Sequence, residues 1–235
     1  MTAPHTYCRH RRHFLAARRP RNHNLEQQAQ ALYKSWFVEF EPFKDSDFVE
    51  SQHGLIPVGC SIVELGQIAE ISAGGDKPNI VTSKPSAGCD VPIYSNGTDN
   101  KGLYGYTNEA RINVCSVTVT ARGTIGDVQL RLEPYCPIVR LISVIPKEGI
   151  HAFYLYLLLR NTRIEGVGTT QQQLTVPNFK KELVLKPDNK TISSFVQKIR
   201  PLIDEITSLE KENLYLSHLR NSILPKLLTG DTIIS

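Results

Sequence analysis

Paired cysteines are missing from this sequence. Its five Cys residues, Cys8, Cys60, Cys89, Cys115 and Cys136, stand at least 21 residues apart, and no C-x₂-C or C-x₂-H spacing occurs. That excludes a zinc ribbon and a disulfide-stapled scaffold, and leaves reduced, mostly buried thiols as the reading. Long apolar runs are missing too. The longest strongly apolar stretch is Phe153–Leu159, far below the roughly 20 residues a membrane-spanning helix needs. Near the start, Phe14–Ala17 is too short for a secretory core. The expectation is a cytoplasmic chain with no membrane partner. A G-x-S-x-G elbow, a Walker loop, an H-E-x-x-H pair and the Asn/Asp-Pro-Pro-Tyr/Phe sequence of amino-methyltransferases are all absent. No catalytic residue and no metal ligand is assigned. His5, His10, His13 and His23 crowd the start, where a metal cluster is only the minor reading.

Acidic residues are absent from residues 1–21, which hold six Arg. The chain has 235 residues, a net charge of +4 and a pI near 8.8, values that invite a nucleic-acid reading. The charge map undercuts it: +6 over residues 1–21, −4 over 22–59, +2 over 60–190 and zero over 191–235. The basic character belongs to the tail, so global charge does not argue for DNA binding.

The organisation changes four times along the chain. Residues 1–23 read as a disordered Arg-rich tail. Residues 24–43 read as a helix on the stripe Leu25, Ala29, Leu32 and Trp36, with Asn24 as N-cap and Pro42 as stop. Residues 44–190 read as a β-rich domain whose first part, Lys44–Gly59, is a polar, acidic linker. Strand-like runs follow at Ile62–Leu65, Ile68–Ser72, Val91–Tyr94, Val114–Thr120, Asp127–Leu132 and Val139–Ile145, interrupted by one helix at His151–Asn161. Residues 191–229 read as a short helix before Pro201 and then a long one, with 230–235 as a tail. Leu202, Leu209, Leu216 and Ile223 repeat at sevens beside Ile199, Ile206, Asn213 and Arg220, a coiled-coil seam. From Pro201 to Leu224 such a helix measures roughly 36 Å. The fold class is α+β: a β-rich domain flanked by an N-terminal helix and a long C-terminal coiled-coil helix.

Three polar loops stand out on the β-rich body. The first runs from Tyr94 to Tyr106 and carries Asn96, Thr98, Lys101 and Tyr104. Its glycines permit close backbone approach, Asn and Lys donate to bases and phosphates, and Tyr packs on sugars or bases. The second, Thr120–Gly126, holds Arg122 and Thr124 beside Gly123 and Gly126. Arg suits a guanine edge or a phosphate, and a structural ion pair is the alternative. The third holds Thr170, Gln171 and Gln172 in the run Gly168–Leu174, where Gln is a capable adenine reader. Ordinary solvated loops are the competing reading for the first and third.

The order of these parts resembles the specificity subunit of type I restriction-modification systems. The resemblance rests on Ala31-Leu32-Tyr33-Lys34-Ser35-Trp36-Phe37-Val38-Glu39-Phe40, the β-rich body, and Leu219-Arg220-Asn221-Ser222-Ile223-Leu224-Pro225-Lys226-Leu227-Leu228. Within the body, Arg122-Gly123-Thr124-Ile125-Gly126 and Thr170-Gln171-Gln172-Gln173-Leu174 match the family's Arg-Gly-x-Ile-Gly and Thr-Gln-x-x-Leu patterns. The likeness covers about residues 22–230. It implies a non-catalytic, DNA-reading subunit whose recognition domains each read half of a split duplex target. It also implies helices that anchor methylating subunits and, through them, restriction subunits. No cofactor is expected on this chain, S-adenosylmethionine belonging to the methylating partner. Members carry two recognition domains and this sequence shows one, and Cys60 stands where many members have Trp. The chain therefore reads as a C-terminal half. One reading makes it a half-subunit that homodimerises through Trp36, Leu202, Ile206, Leu209, Asn213, Leu216 and Ile223. The other makes it a truncated remnant that serves only as a helical assembly module.

Overall fold

The computed structural model describes residues 22–52, 54–166 and 172–229. The Arg-rich tail up to residue 21 and the last six residues lie outside the described residues. Two compact units result: residues 22–32 with 199–229, and Tyr33–Lys198.

Helix α1 covers residues 22–37. It is already helical at residue 22, so Asn24 lies inside it and is not its cap. It ends before Phe40, whose φ of 52° is left-handed, and Pro42 then enters a short 3₁₀ turn, Glu41–Phe43.

The stretch read as a linker folds instead into a hairpin. Strands β1 (Phe48–Ser51) and β2 (Gly54–Pro57) pair antiparallel, with Phe48 opposite Pro57. Gly54, at φ 97°, supplies the positive dihedral of the turn. The acidic residues around Phe48 and Val49 hide the β-propensity of the pair.

Four strands form the central antiparallel sheet: β4 (Ala69–Ala73), β7 (Ser116–Val119), β8 (Val128–Arg131) and β10 (Ile142–Pro146), in the order β4-β10-β7-β8. Every residue of β7 is buried. Helix α3 (Ala152–Asn161) packs on β7, β8 and β10. The His151 ring caps it by accepting from the Phe153 N–H at 3.1 Å. Burial of the polar Ser116 and Ser143 is offset because both hydroxyls reach the Tyr135 hydroxyl, at 2.9 and 3.0 Å. A second sheet takes β5 (Val91–Tyr94), β6 (Leu103–Thr107) and β9 (Cys136–Pro137) in the order β6-β5-β9, with β5 and β9 parallel. Strand β3 (Ser61–Glu64) pairs with β11 (Leu183–Lys186), and two short helices, α2 (Leu65–Ile68) and α4 (Val176–Lys180), lie at the inner ends of these strands.

The β-rich unit extends beyond residues 44–190 at both ends, to Tyr33 and Lys198. An aromatic cluster explains the extension. Phe37 sits 5.0 Å from Tyr154 and 4.9 Å from Phe195 between ring centroids, and Trp36 lies 5.6 Å from Phe195. Burial pushes the Tyr33 and Tyr154 phenols up. The Tyr154 hydroxyl donates to the Leu185 carbonyl at 2.5 Å.

Helix α5 (Asn189–Thr229) is one continuous element of 41 residues, roughly 60 Å at the α-helical rise. The sequence places a break before Pro201, and the structure has none. Asp188 starts the helix by accepting from the Thr191 N–H at 2.7 Å. Pro201 is exposed, while Ile199 and Ile203 beside it are 0% and 3% exposed. Burial on that face outweighs the one backbone bond that proline removes.

Candidate nucleic-acid interface

Strand register decides where the polar loops emerge. In the central sheet Ile142 stands opposite both Ala73 and Val119, and Val119 stands opposite Val128. The turns after β4 and β7, before β8 and before β10 therefore leave from one end. In the second sheet Tyr94 aligns with Pro137 in parallel, so β5 and β9 also finish together. The two ends meet because the Ile138 N–H donates to the Tyr94 carbonyl at 2.9 Å, and the Val139 N–H donates to the Gly75 carbonyl at 2.9 Å.

Ala121 is the hub of the cluster. Its N–H donates to Asn96 Oδ1 at 2.7 Å, and its carbonyl accepts from the Leu174 N–H at 3.0 Å. One residue thus ties the loops around Asn96, Arg122 and Gln173 together. Asn96 Nδ2 donates in turn to the Val139 carbonyl at 2.6 Å. Arg122 Nε donates to Gln173 Oε1 at 2.9 Å, joining the second and third loops a second time. Thr120 shapes the second loop from below: its hydroxyl donates to the Thr124 carbonyl and accepts from the Asp127 N–H. Gly126, at φ 84°, lies against Ile164, where a Cβ would stand 3.3 Å from that side chain.

The result is an open polar cleft of about 1030 Å³, lined by Arg122, Gly123, Ile125, Arg163, Gln172 and Gln173 among others. The exposed Arg163 pairs with Glu165 at 2.6 Å. Such an exposed pair contributes little and gives way readily to a competing anion.

The first loop is braced by a cation that the sequence reading missed. Arg131 is 6% exposed. Its Nε donates to Thr118 Oγ1 at 3.0 Å, its Nη2 donates to the Lys101 carbonyl at 2.7 Å, and its guanidinium lies 3.5 Å over the Tyr94 ring. Burial lowers its pKa, and the Tyr94 hydroxyl, with Tyr135 and Asp127, acts in the opposite direction. It holds Lys101, which has a left-handed φ of 55°. Only glycine fits next door, since a Cβ on Gly102 would stand 2.6 Å from the Ser95 carbonyl oxygen.

The residues singled out from sequence thus divide. Arg122, Thr124 and Gln172 are exposed on the clustered loops, and Thr98, Lys101 and Tyr104 are exposed on the first loop. Lys77 Nζ sits 4.4 Å over the Tyr104 ring. Asn96 is half-buried with both ends of its amide engaged, so it clasps the loops. Thr170 and Gln171 lie outside the described residues. Of the Gln triplet it is Gln173, passed over in the sequence, that holds Arg122. The triplet alone carries no sign of which Gln turns inward; the adjacent Leu174, 5% exposed, is the only hint. The sequence places Trp36 among the partner-facing helix residues, and the structure corrects this. It is 8% exposed and packed inside the β-rich unit against Phe195. Leu202, Ile206, Leu209, Asn213 and Leu216 are half-buried along α5, and Ile223 is 38% exposed.

Among the described residues, no group of three or more His, Cys, Asp or Glu is placed to hold a metal ion. No described helix is long and apolar enough to cross a membrane.

Comparison with known proteins follows the same outline. Residues 57–214 match the family model of the type I restriction modification DNA specificity domain. The specificity subunit of the type I restriction enzyme MjaIX from Methanocaldococcus jannaschii is 25% identical over 236 residues, covering 91% of this chain and 54% of that protein. The HindI specificity subunit from Haemophilus influenzae is 23% identical over 287 residues, covering 89% of this chain and 62% of that one. The chain spans about half the length of the curated relatives it matches. In fold it is similar to the crystal structure of a type I restriction-modification S subunit from M. genitalium. That match has a TM-score of 0.63 at 13% identity and covers 92% of this chain and 59% of the other. On the match over residues 57–214, the chain belongs to the type I restriction modification DNA specificity domain family.

Proposed function

We propose that this chain is a sequence-reading subunit that directs a type I restriction-modification complex to its DNA target. One observation carries the reading: hydrogen bonds through Ala121 gather three polar loops at one end of a closed β-rich unit. On that end Arg122 is exposed and oriented by Gln173. An oriented guanidinium on a rigid scaffold is what bidentate base reading requires.

The chain itself performs no chemistry in this reading. S-adenosylmethionine and the methyl transfer belong to methylating subunits, and cleavage belongs to restriction subunits recruited through them. Helix α5 supports such an assembly role, because Leu214, Leu219, Ile223 and Leu224 are 47%, 41%, 38% and 45% exposed. These exposed apolar residues also favour a second reading, in which the chain homodimerises and reads a palindromic split site.

Selection of bound duplexes from a random-sequence pool tests the function. The wild-type chain, alone and with its methylating subunit, enriches a defined sequence. Arg122→Ala then weakens binding to the enriched duplex by about 1–3 kcal/mol, with a smaller loss on a scrambled duplex. Equal losses on both would make Arg122 a phosphate contact, and no loss on either would remove it from the interface. Light scattering of the purified chain separates monomer from dimer.

A further inference from the structure

The segment between β9 and β10 is a tight turn with an unexpected composition. The Leu141 N–H donates to the Ile138 carbonyl at 3.1 Å, so Val139 and Arg140 are its two central residues. Both have left-handed φ, 53° and 63°. Turns with positive φ at both centres are ordinarily made with Asn and Gly, which tolerate that region. A β-branched residue there is an outlier that persists only where its surroundings impose it.

The surroundings do impose it. The Val139 and Arg140 N–H groups donate to the Gly75 and Gly74 carbonyls, each at 2.9 Å. Gly74 is packed so closely that a Cβ there would lie 2.7 Å from the Pro137 backbone. Asn96 Nδ2 donates to the Val139 carbonyl, and its Oδ1 ties the same amide to Ala121, the residue before Arg122. The turn is therefore locked to the loop that carries Arg122. What it presents is an exposed Arg140 with no side-chain partner among the described residues, beside a Val139 that is 50% exposed. An unfavourable turn that displays an unpaired guanidinium and an apolar methyl pair is not explained by stability, which Asn-Gly would serve better.

We propose that Arg140 is a specificity-determining DNA contact, with Asn96 as its positioning residue and Val139 offering an apolar contact beside it. The inference rests on the DNA-reading function proposed above. A base contact fits better than a phosphate contact. A phosphate tolerates slack in a long side chain, whereas the fork on guanine O6 and N7 needs a fixed origin, and an exposed Val suits a thymine methyl.

The test uses the full chain with its methylating subunit, the duplex enriched from the random pool, and a scrambled duplex of equal length. Arg140→Ala raises Kd for the enriched duplex roughly tenfold or more and leaves the scrambled duplex within about twofold. Asn96→Asp keeps the acceptor for Ala121 but cannot donate to Val139. It weakens the enriched duplex in the same direction, and added to Arg140→Ala it has little further effect. The pair Val139→Asn with Arg140→Gly raises Tm while losing discrimination between the two duplexes. Wild-type affinity in Arg140→Ala would overturn the proposal, as would equal losses on both duplexes or a lower Tm in the Asn-Gly pair. A wild-type complex that enriches no sequence would instead overturn the DNA-reading function, and the inference with it.

Discussion

Residues 33–198 and the far end of α5 use similar residues in opposite ways. In the first region Tyr154, Phe179 and Phe195 are fully buried, and the aromatic rings of α1, α3 and α5 touch one another. In the second, Leu214, Leu219, Ile223 and Leu224 are 38–47% exposed and Tyr215 is 65% exposed. A domain that buries its aromatics holds its polar loops in fixed positions. A helix that leaves several large apolar side chains in water has stability to gain from a partner. The proposed function thus places reading and assembly on separate stretches of the chain, and single substitutions should separate them too.

The largest effect should fall on the aromatic cluster. Phe195→Ala removes a fully buried ring that touches Tyr33, Trp36 and Phe37, and such truncations cost about 3–5 kcal/mol. Urea unfolding of the purified chain reads this directly. The pair Leu219→Ala with Ile223→Ala should change the same curve by less than about 0.5 kcal/mol per site, as surface substitutions do, yet weaken self-association or capture by the methylating subunit. Equal losses of stability from the two sets would erase the contrast between the regions.

A smaller effect probes how the closed unit supports its loops. Arg131→Met keeps most of the apolar volume but removes the donors to Thr118 and to the Lys101 carbonyl. Losing hydrogen bonds to a buried charge costs about 1.5–3 kcal/mol, and relieving the desolvation of a buried cation offsets part of that loss. The net change in unfolding free energy should therefore be small. Amide exchange in residues 98–102 should nonetheless speed up markedly. Unchanged exchange there would mean that Gly102 and the backbone hold the loop without help.

The sequence made some of this visible and hid the rest for identifiable reasons. The strand at Val91–Tyr94 and the helix ending at Asn161 match the structure because a turn signal or a run of leucines bounds each. The hairpin Phe48–Pro57 was hidden by acidic neighbours, and the continuity of α5 was hidden by Pro201, whose local cost is outweighed by burial around it. At the candidate site, residue type pointed to Arg122 and Asn96 equally. Nothing local could show that Asn96 has both ends of its amide engaged, because its partners lie 25 and 43 residues away. Arg131 and Gln173 were missed on the same ground: their roles exist only once β8 and the Leu174 segment are folded beside the loops they hold.

The smallest effect concerns pH, and it tests whether the closed unit extends to the start of α5. Burial, with the Asp188 carboxylate in support, pushes the Cys60 thiol up from 9.0 to about 11. The folded chain then keeps a proton that the unfolded chain has already released. The stability this contributes is complete below pH 9 and is lost as pH rises towards 11. Tyr33 and Tyr154 act in the same direction above pH 10, because burial raises both phenols. Cys60→Ala should leave stability at pH 8 nearly unchanged and flatten the decline between pH 9 and 10, before the phenols take over. Because Cys60 is only half-buried, solvent screening keeps the difference modest. Asp188 is also the residue that starts α5 through the Thr191 N–H, so Asp188→Asn should flatten the same interval while preserving an N-cap oxygen. If urea midpoints for wild type, Cys60→Ala and Asp188→Asn fall in parallel from pH 8 to 10, neither group is coupled to folding, and the β-rich unit ends before the first turn of α5.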